Sequence, residues 1–360
     1  MWRVGVALVF LVTACGSPSA PAASVTHSPS PATSVSPAPL PKPEASPFRG
    51  VFYQGGAGKL TLVDSNGTLI ASAAATAPHR YNQGLPWTST SLKRLYYLDA
   101  GGSVHFLAPD GATGVATHIA LGAGEEAGFS VSPDDVKIAV AVLRYGSGSR
   151  FGGMTMYVED LSTGGHDVVI YSSSINAEYP IAWTGGRLIV ALSTPLCCAS
   201  TPVNPYGAVE YHVVEPSTGN RLVTLCRGSR GPVGPPATIG VTCLPTYSNG
   251  PEYFHWDGTS CCAPGTASVG ALSPDGTAAA WSSPNGIEVS FGPNSNNVAN
   301  IEVSGVLGDV EGWLDPTHLV YRLTSDSGQY IGQVPGLDGP KVPDSGPGTT
   351  YQGTLPAALS

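Results

Sequence analysis

From residue 48 onward the chain alternates short apolar runs with small polar turns, and the runs have the lengths of strands, not helices. One element is an apolar run closed by a tight turn. It occurs as LTLVDSNGT (60–68), VHFLAPDGA (104–112), MYVEDLSTGG (156–165), YHVVEPSTGN (211–220), VSFGPNSNN (289–297) and IGQVPGLDG (331–339). Each closes on Asp, Pro, Asn, Ser or Gly, which accept hairpin geometry. A second element, two apolar runs around a small polar turn, occurs as LPWTSTSLKRLYYL (85–98), FSVSPDDVKIAVAV (129–142), IAWTGGRLIVAL (181–192), GALSPDGTAAAWSS (270–283) and EGWLDPTHLVYRL (311–323). Joined, the two elements predict four antiparallel strands per unit, repeating every 40 to 55 residues or so.

Units of this kind are the blades of a β-propeller. The phrases SVSPDDVKIAVAV and ALSPDGTAAAWSS closely resemble the TolB-type, WD40-like propeller repeat, in which a Ser-Pro-Asp-Gly turn leads into an apolar strand. The resemblance spans most of residues 49–340 and is specific at those two blades. It implies an all-β chain of four-stranded antiparallel blades, with Trp87, Trp183 and Trp313 packed between them. The first unit (50–54, 59–64, 69–74) lacks an inner strand, and the C-terminal run TTYQGTLPA (349–357) is expected to supply it and close the ring. Six blades are predicted. The alternative is seven, if the long interval 227–265, rich in Gly, Pro and Ser, hides another; otherwise that interval reads as a structureless insertion.

The amino terminus has a different character. Arg3 precedes an apolar stretch, Val4 to Val12, too short to span a bilayer. It ends in Val12-Thr13-Ala14-Cys15, which resembles a bacterial lipobox. Residues 1–14 are thus expected to be a signal peptide, and Cys15 the lipidated residue of a membrane-anchored, extracytoplasmic protein. Residues 16–47 are mostly Pro, Ser, Ala, Thr and Val, too poor in bulky apolar surface to order, and predict an extended tether. The propeller is placed at 48–360.

Composition narrows the partners. Charged residues make up 11% of the chain and the formal net charge is −9. The 16 basic residues are scattered, which argues against nucleic acid. Of seven cysteines, six (Cys197, Cys198, Cys226, Cys243, Cys261 and Cys262) fall in the exported domain and predict disulfides in an oxidising compartment. Adjacent cysteines rarely bond each other, because their Cα atoms lie closer than the usual disulfide range. The favoured pairing is Cys226 with Cys243 and the 197/198 pair with the 261/262 pair, among 15 possible connectivities. These bonds would pin the insertion as a cap on one face.

No metalloprotease, nucleophile-elbow, P-loop or dinucleotide motif occurs. Asp64-Ser65-Asn66-Gly67 reads as a hairpin turn, not a calcium loop, because the distal glutamate is missing. No cofactor or metal is expected. Propeller topology instead gathers the connections into each inner strand on one rim. His79, Arg80, Tyr81, Glu125, Glu126, Glu178, Tyr179, Asp309, Glu311 and Tyr351 are the candidates there for ligand binding. The expected role is a monomeric binding or scaffold module for a protein, cell-wall or small-molecule ligand. The alternative is a hydrolase or lyase with its active site at the channel mouth.

Overall fold

A computed structural model describes residues 47–78, 85–147, 150–162, 168–193, 208–228, 236–244, 250–261, 270–291, 298–299, 308–334 and 336–355. Residues 1–46, where the signal segment and most of the tether are expected, lie outside them. Among the described residues every regular element is a strand.

The first sheet holds β1 (Arg49–Gln54), β2 (Lys59–Asp64) and β3 (Leu69–Ala74), with β25 (Thr349–Leu355) added antiparallel to β1. The second runs β4 (Thr88–Thr90), β5 (Leu95–Leu98), β6 (Ser103–Leu107), β7 (Thr113–His118). The third runs β8 (Glu125–Val131), β9 (Lys137–Tyr145), β10 (Phe151–Asp160), β11 (Val168–Ser173). The fourth is β12 (Ala177–Thr184), β13 (Arg187–Ser193), β14 (Glu210–Val214), β15 (Arg221–Leu225). A two-stranded hairpin follows, β16 (Gly240–Cys243) and β17 (Glu252–His255). The fifth sheet is β18 (Ala271–Leu272), β19 (Ala278–Ser283), β20 (Gly286–Phe291), β21 (Val298–Ala299). The sixth is β22 (Gly308–Asp315), β23 (His318–Leu323), β24 (Gln329–Gln333), and Asp338 and Lys341 bridge to β24.

Successive first strands pack on one another. β25 meets β4, β4 meets β8, β8 meets β12, β18 meets β22, and β22 meets β25. Up-and-down antiparallel sheets stacked in this way are propeller blades. The chain is a β-propeller. The interblade tryptophans behave as the repeat implies: Trp183 donates its indole N–H to Ser130 O (3.2 Å) and Trp313 to Ala271 O (2.8 Å), while Trp87 packs edge-on against Tyr53.

The Ser-Pro-Asp turns show why that phrase recurs. Ser273 Oγ donates to Asp275 Oδ1 (2.8 Å) and accepts from Ala278 N–H (2.9 Å), with Gly276 at φ +72°. In the third sheet Ser132 donates to Asp134 (2.6 Å) and accepts from Lys137 N–H (2.8 Å), but the left-handed position is held by Asp135 at φ +64°. Asp tolerates that conformation better than most residues. Here its carboxylate also accepts Tyr96 O–H from the second sheet at 2.8 Å, so the departure from glycine adds an interblade bond.

The interval 227–265 departs from expectation. It is not a structureless insertion: Val241, Cys243 and Trp256 join the core of the fourth sheet, and Tyr253 and Cys261 pack with Leu272 and Ala279 of the fifth. Trp256 meets Tyr211 edge-on (centroids 5.9 Å apart), and β16 packs on β18. Gly and Pro dominate the interval's average composition, but its alternating Ile239, Val241, Cys243 and the run Tyr253-Phe254-His255-Trp256 carry enough apolar surface for a hairpin between two blades. Cys226 and Cys243 form a disulfide (Cα–Cα 5.0 Å), and Cys261 is also disulfide-bonded. Cys197, Cys198 and Cys262 lie outside the described residues.

Two expectations follow. Deleting residues 347–360 strips β1 of its partner, and the variant should lose its cooperative melting transition or aggregate. The milder Leu355→Ala, at a side chain 1% exposed, should cost about 2–5 kcal/mol in chemical denaturation. An unchanged melting temperature for the truncation would contradict the role given to β25. Separately, Cys226→Ser with Cys243→Ser should destabilise by about 2–4 kcal/mol, and non-reducing peptide mapping should recover the two cysteines in one linked fragment.

Candidate functional site

Seven of the candidate rim residues sit in the first residues of inner strands β8, β12, β22 and β25, not in the connections that lead into them. His79, Arg80 and Tyr81 lie outside the described residues. The remaining seven divide by what holds them.

Glu178 is not a solvated rim carboxylate. It is 2% exposed and sits in β12 against the third sheet, its backbone N–H directed at Met154 Sδ. Its Oε1 accepts from Arg221 Nη2, and Oε2 lies 3.6 Å from His212 Nδ1. His212, fully buried on β14, places its Nε2 2.8 Å from Glu210 Oε1, and Glu210 Oε2 pairs with Arg227 Nε at 3.4 Å. Arg221 also lies over the Tyr171 ring of β11, 5.5 Å from its centroid. Two carboxylates, an imidazole and two guanidiniums thus alternate through the fourth sheet. Sequence reading found Glu178 but missed its partners, because Glu210, His212 and Arg221 are distant in sequence and carry no motif.

Tyr179 belongs to the core. Its side chain is 0% exposed among Tyr211, Val190 and Met154, and burial pushes its hydroxyl pKa well above the ordinary range. It presents nothing to a surface ligand, which corrects its place among the candidates. Tyr351 is likewise structural: its O–H donates to Trp313 O (2.9 Å) and its ring packs on Phe52. Gly312 is needed beneath it, since at φ +156° a Cβ there would come within 2.9 Å of the Tyr351 ring.

Glu311 occupies the register shift in β22, where an extra residue re-aims a side chain. Arg322 Nη2 lies 2.8 Å from its Oε1, and Gln329 hydrogen-bonds it. Burial nevertheless raises its pKa above the usual carboxylate range, and the neighbouring charge of Asp309 adds to the rise. A raised pKa means that the folded state prefers the protonated acid. The contribution of Glu311 to stability is therefore largest at low pH and is lost as pH rises through that pKa. Asp309 is exposed and faces Arg322 across the ladder. Glu125 accepts from Gly122 N–H at 2.8 Å and shapes its own turn, and Glu126 is buried.

The contacts described join each residue to its own or an adjoining sheet. Those of Glu311 and Tyr351 meet at the junction of β22 and β25, and those of Glu178 lie in the fourth sheet. Among the described residues no group of three or more His, Cys, Asp or Glu is arranged to hold a metal ion. The Asp64 turn is the hairpin expected, its Oδ1 accepting from the N–H groups of Asn66 and Thr68 at 2.9 and 2.8 Å.

A scan against protein-family models gave no match, and neither did a search of curated proteins. Solved structures similar to this chain are propellers of varied kind. KlHsv2 with loop 6CD replaced by a Gly-Ser linker is 13% identical over 79% of this chain and 93% of its own, with a TM-score of 0.42. BamB from Moraxella catarrhalis is 13% identical over 74% and 76%, TM-score 0.38. An oligogalacturonate lyase in complex with manganese is 11% identical over 76% and 86%, TM-score 0.47. Propellers serve both binding and catalysis, so function rests on the site.

Glu178→Ala should destabilise the protein by about 3 kcal/mol, the lower end for breaking a buried ion pair, because half-exposed Arg221 can turn to solvent. Glu125→Ala should stay within about 0.5 kcal/mol of the parent. Equal urea midpoints for all three proteins would remove the structural role assigned to Glu178.

Proposed function

We propose that this chain is a lipid-anchored extracytoplasmic propeller acting as a binding or scaffold module for a protein, cell-wall or small-molecule ligand. The anchor is Cys15 of the sequence Val12-Thr13-Ala14-Cys15, and residues 16–47 hold the propeller off the membrane. The observation that carries the reading is the engagement of the acid–base candidates: Glu178 in its Arg221–His212 network, Glu311 with Arg322, Tyr351 on Trp313 O. A general acid or base has to exchange its proton with a substrate group within hydrogen-bond reach. Groups committed to joining sheets serve a rigid scaffold instead. Exposed Asp309 and partly exposed Glu125 are left to meet a ligand at the rim.

The experiment has two arms. Cys15→Ser should move the protein from the membrane fraction to the soluble fraction or leave the precursor uncleaved; a variant processed and sedimented like the parent overturns the anchor. A photo-crosslinking residue at position 309 should trap a defined species in intact cells, whereas one at Val169, on the outer strand β11, should not. The opposite pattern places the working surface on the blade edges and overturns the rim.

A further inference from the structure

The junction between the sixth sheet and the first gathers polar side chains around one backbone carbonyl. Thr349 O accepts from Arg322 Nη2 at 2.9 Å and from Gln329 Nε2 at 3.2 Å. Gln54 stands opposite Thr349 in the β1–β25 ladder and donates its own amide to Pro343 O at 2.8 Å. The segment between β24 and β25 is pinned over them, with Val342 N–H on Gln329 O (2.8 Å) and Gln329 N–H on Ser345 Oγ (3.1 Å). Gln329 is 0% exposed and Gln54 4%.

Three atoms of this cluster are buried without a protein partner: Gln54 Oε1, Gln329 Oε1 and Arg322 Nε. A buried polar atom left unpaired costs about 1–3 kcal/mol, so three at one junction call for an occupant. Its chemistry follows from theirs. Two amide oxygens need donors and one guanidinium N–H needs an acceptor. A metal cation offers no acceptor to Nε and would sit beside a guanidinium. An anion offers no donor to the amide oxygens. An alcohol donates once. Water donates twice and accepts, and it is small enough for a place closed to solvent; buried waters typically make about three hydrogen bonds.

We propose that one water molecule is built into this junction, bridging Gln54, Gln329 and Arg322 where the sixth sheet meets the first. The seam that joins the two ends of the propeller is then partly hydrated, and exchange of that water reports opening of the seam.

A crystal structure of the full chain carrying Cys15→Ser reads the site directly. A water within about 3.2 Å of all three atoms is expected; a dry site, or side chains turned to pair with each other, overturns the proposal. Oxygen-17 relaxation dispersion reads it in solution. Gln329→Leu removes the amide oxygen, and Arg322→Lys keeps the charge beside Glu311 but lacks Nε. Each folded variant should lose one long-lived water relative to the parent. An undiminished dispersion amplitude in a folded variant overturns the bridge, and the lysine variant supplies that reading if the leucine variant does not fold.

Discussion

The backbone ladder between Arg49–Gln54 and Thr349–Leu355 is the contact on which the rest of the architecture leans. The other strand pairings described here join neighbours in sequence, whose connections are far shorter and cost less loop entropy to close. Pairing β25 with β1 closes nearly the whole domain. Without it β1 presents an open edge, and Phe52 loses the Tyr351 ring that packs on it. Local hairpins can form early, but a contact of such long separation forms late in a fold dominated by sheet. The β1–β25 ladder is therefore a feature that no single local hairpin can supply.

The same seam explains how polar groups are used inside the protein. An all-β core built on short strands must accept side chains that run from one sheet to the next, and a buried charge is tolerable only when paired. The fourth sheet meets this with Arg221, Glu178, His212, Glu210 and Arg227 in alternating order. The sixth meets it with Glu311, Arg322 and Gln329. Tyr96 and Asp135 do so between the second and third sheets, where burial and then the carboxylate push the tyrosine hydroxyl pKa up to about 12. Residues that look like acid–base candidates in a list serve here as joints.

Much of the strand pattern was legible because β-strands alternate and turns carry their own chemistry. Lys59–Asp64 and Leu69–Ala74 fall where the apolar runs place them, and the two Ser-Pro-Asp phrases mark turns whose hydrogen bonds depend on those side chains. The pairing of Cys226 with Cys243 was favoured, leaving each member of the adjacent pairs to bond elsewhere, and the two form a disulfide. The hairpin at 240–255 was not legible, because glycine and proline around it hide a few apolar residues whose value depends on two flanking sheets. The rim candidates failed for a related reason. The connections into the inner strands were expected to carry them, but strands β8, β12 and β22 begin earlier than read, and exposure there depends on side chains from other strands. Tyr179 is buried in a core shared with residues of the third sheet, and Glu178 is claimed by Arg221, which is distant in sequence.

The distinction between binding and catalysis then turns on freedom, not on residue type. A carboxylate whose oxygens are shared between a guanidinium and an imidazole gives up a proton acceptor only by breaking the sheet junction it holds. Such a site would couple each turnover to loosening of the blade. Glu311 comes nearest to a titratable group poised for chemistry, yet burial raises its pKa at a residue that also anchors Arg322 against Thr349 O. Asp309, two residues away, is exposed, and its charge adds to the rise in the Glu311 pKa. On the binding reading proposed above, a net charge of −9 would favour neutral or cationic ligands. On that reading, recognition would fall to exposed side chains that hold no sheet junction together.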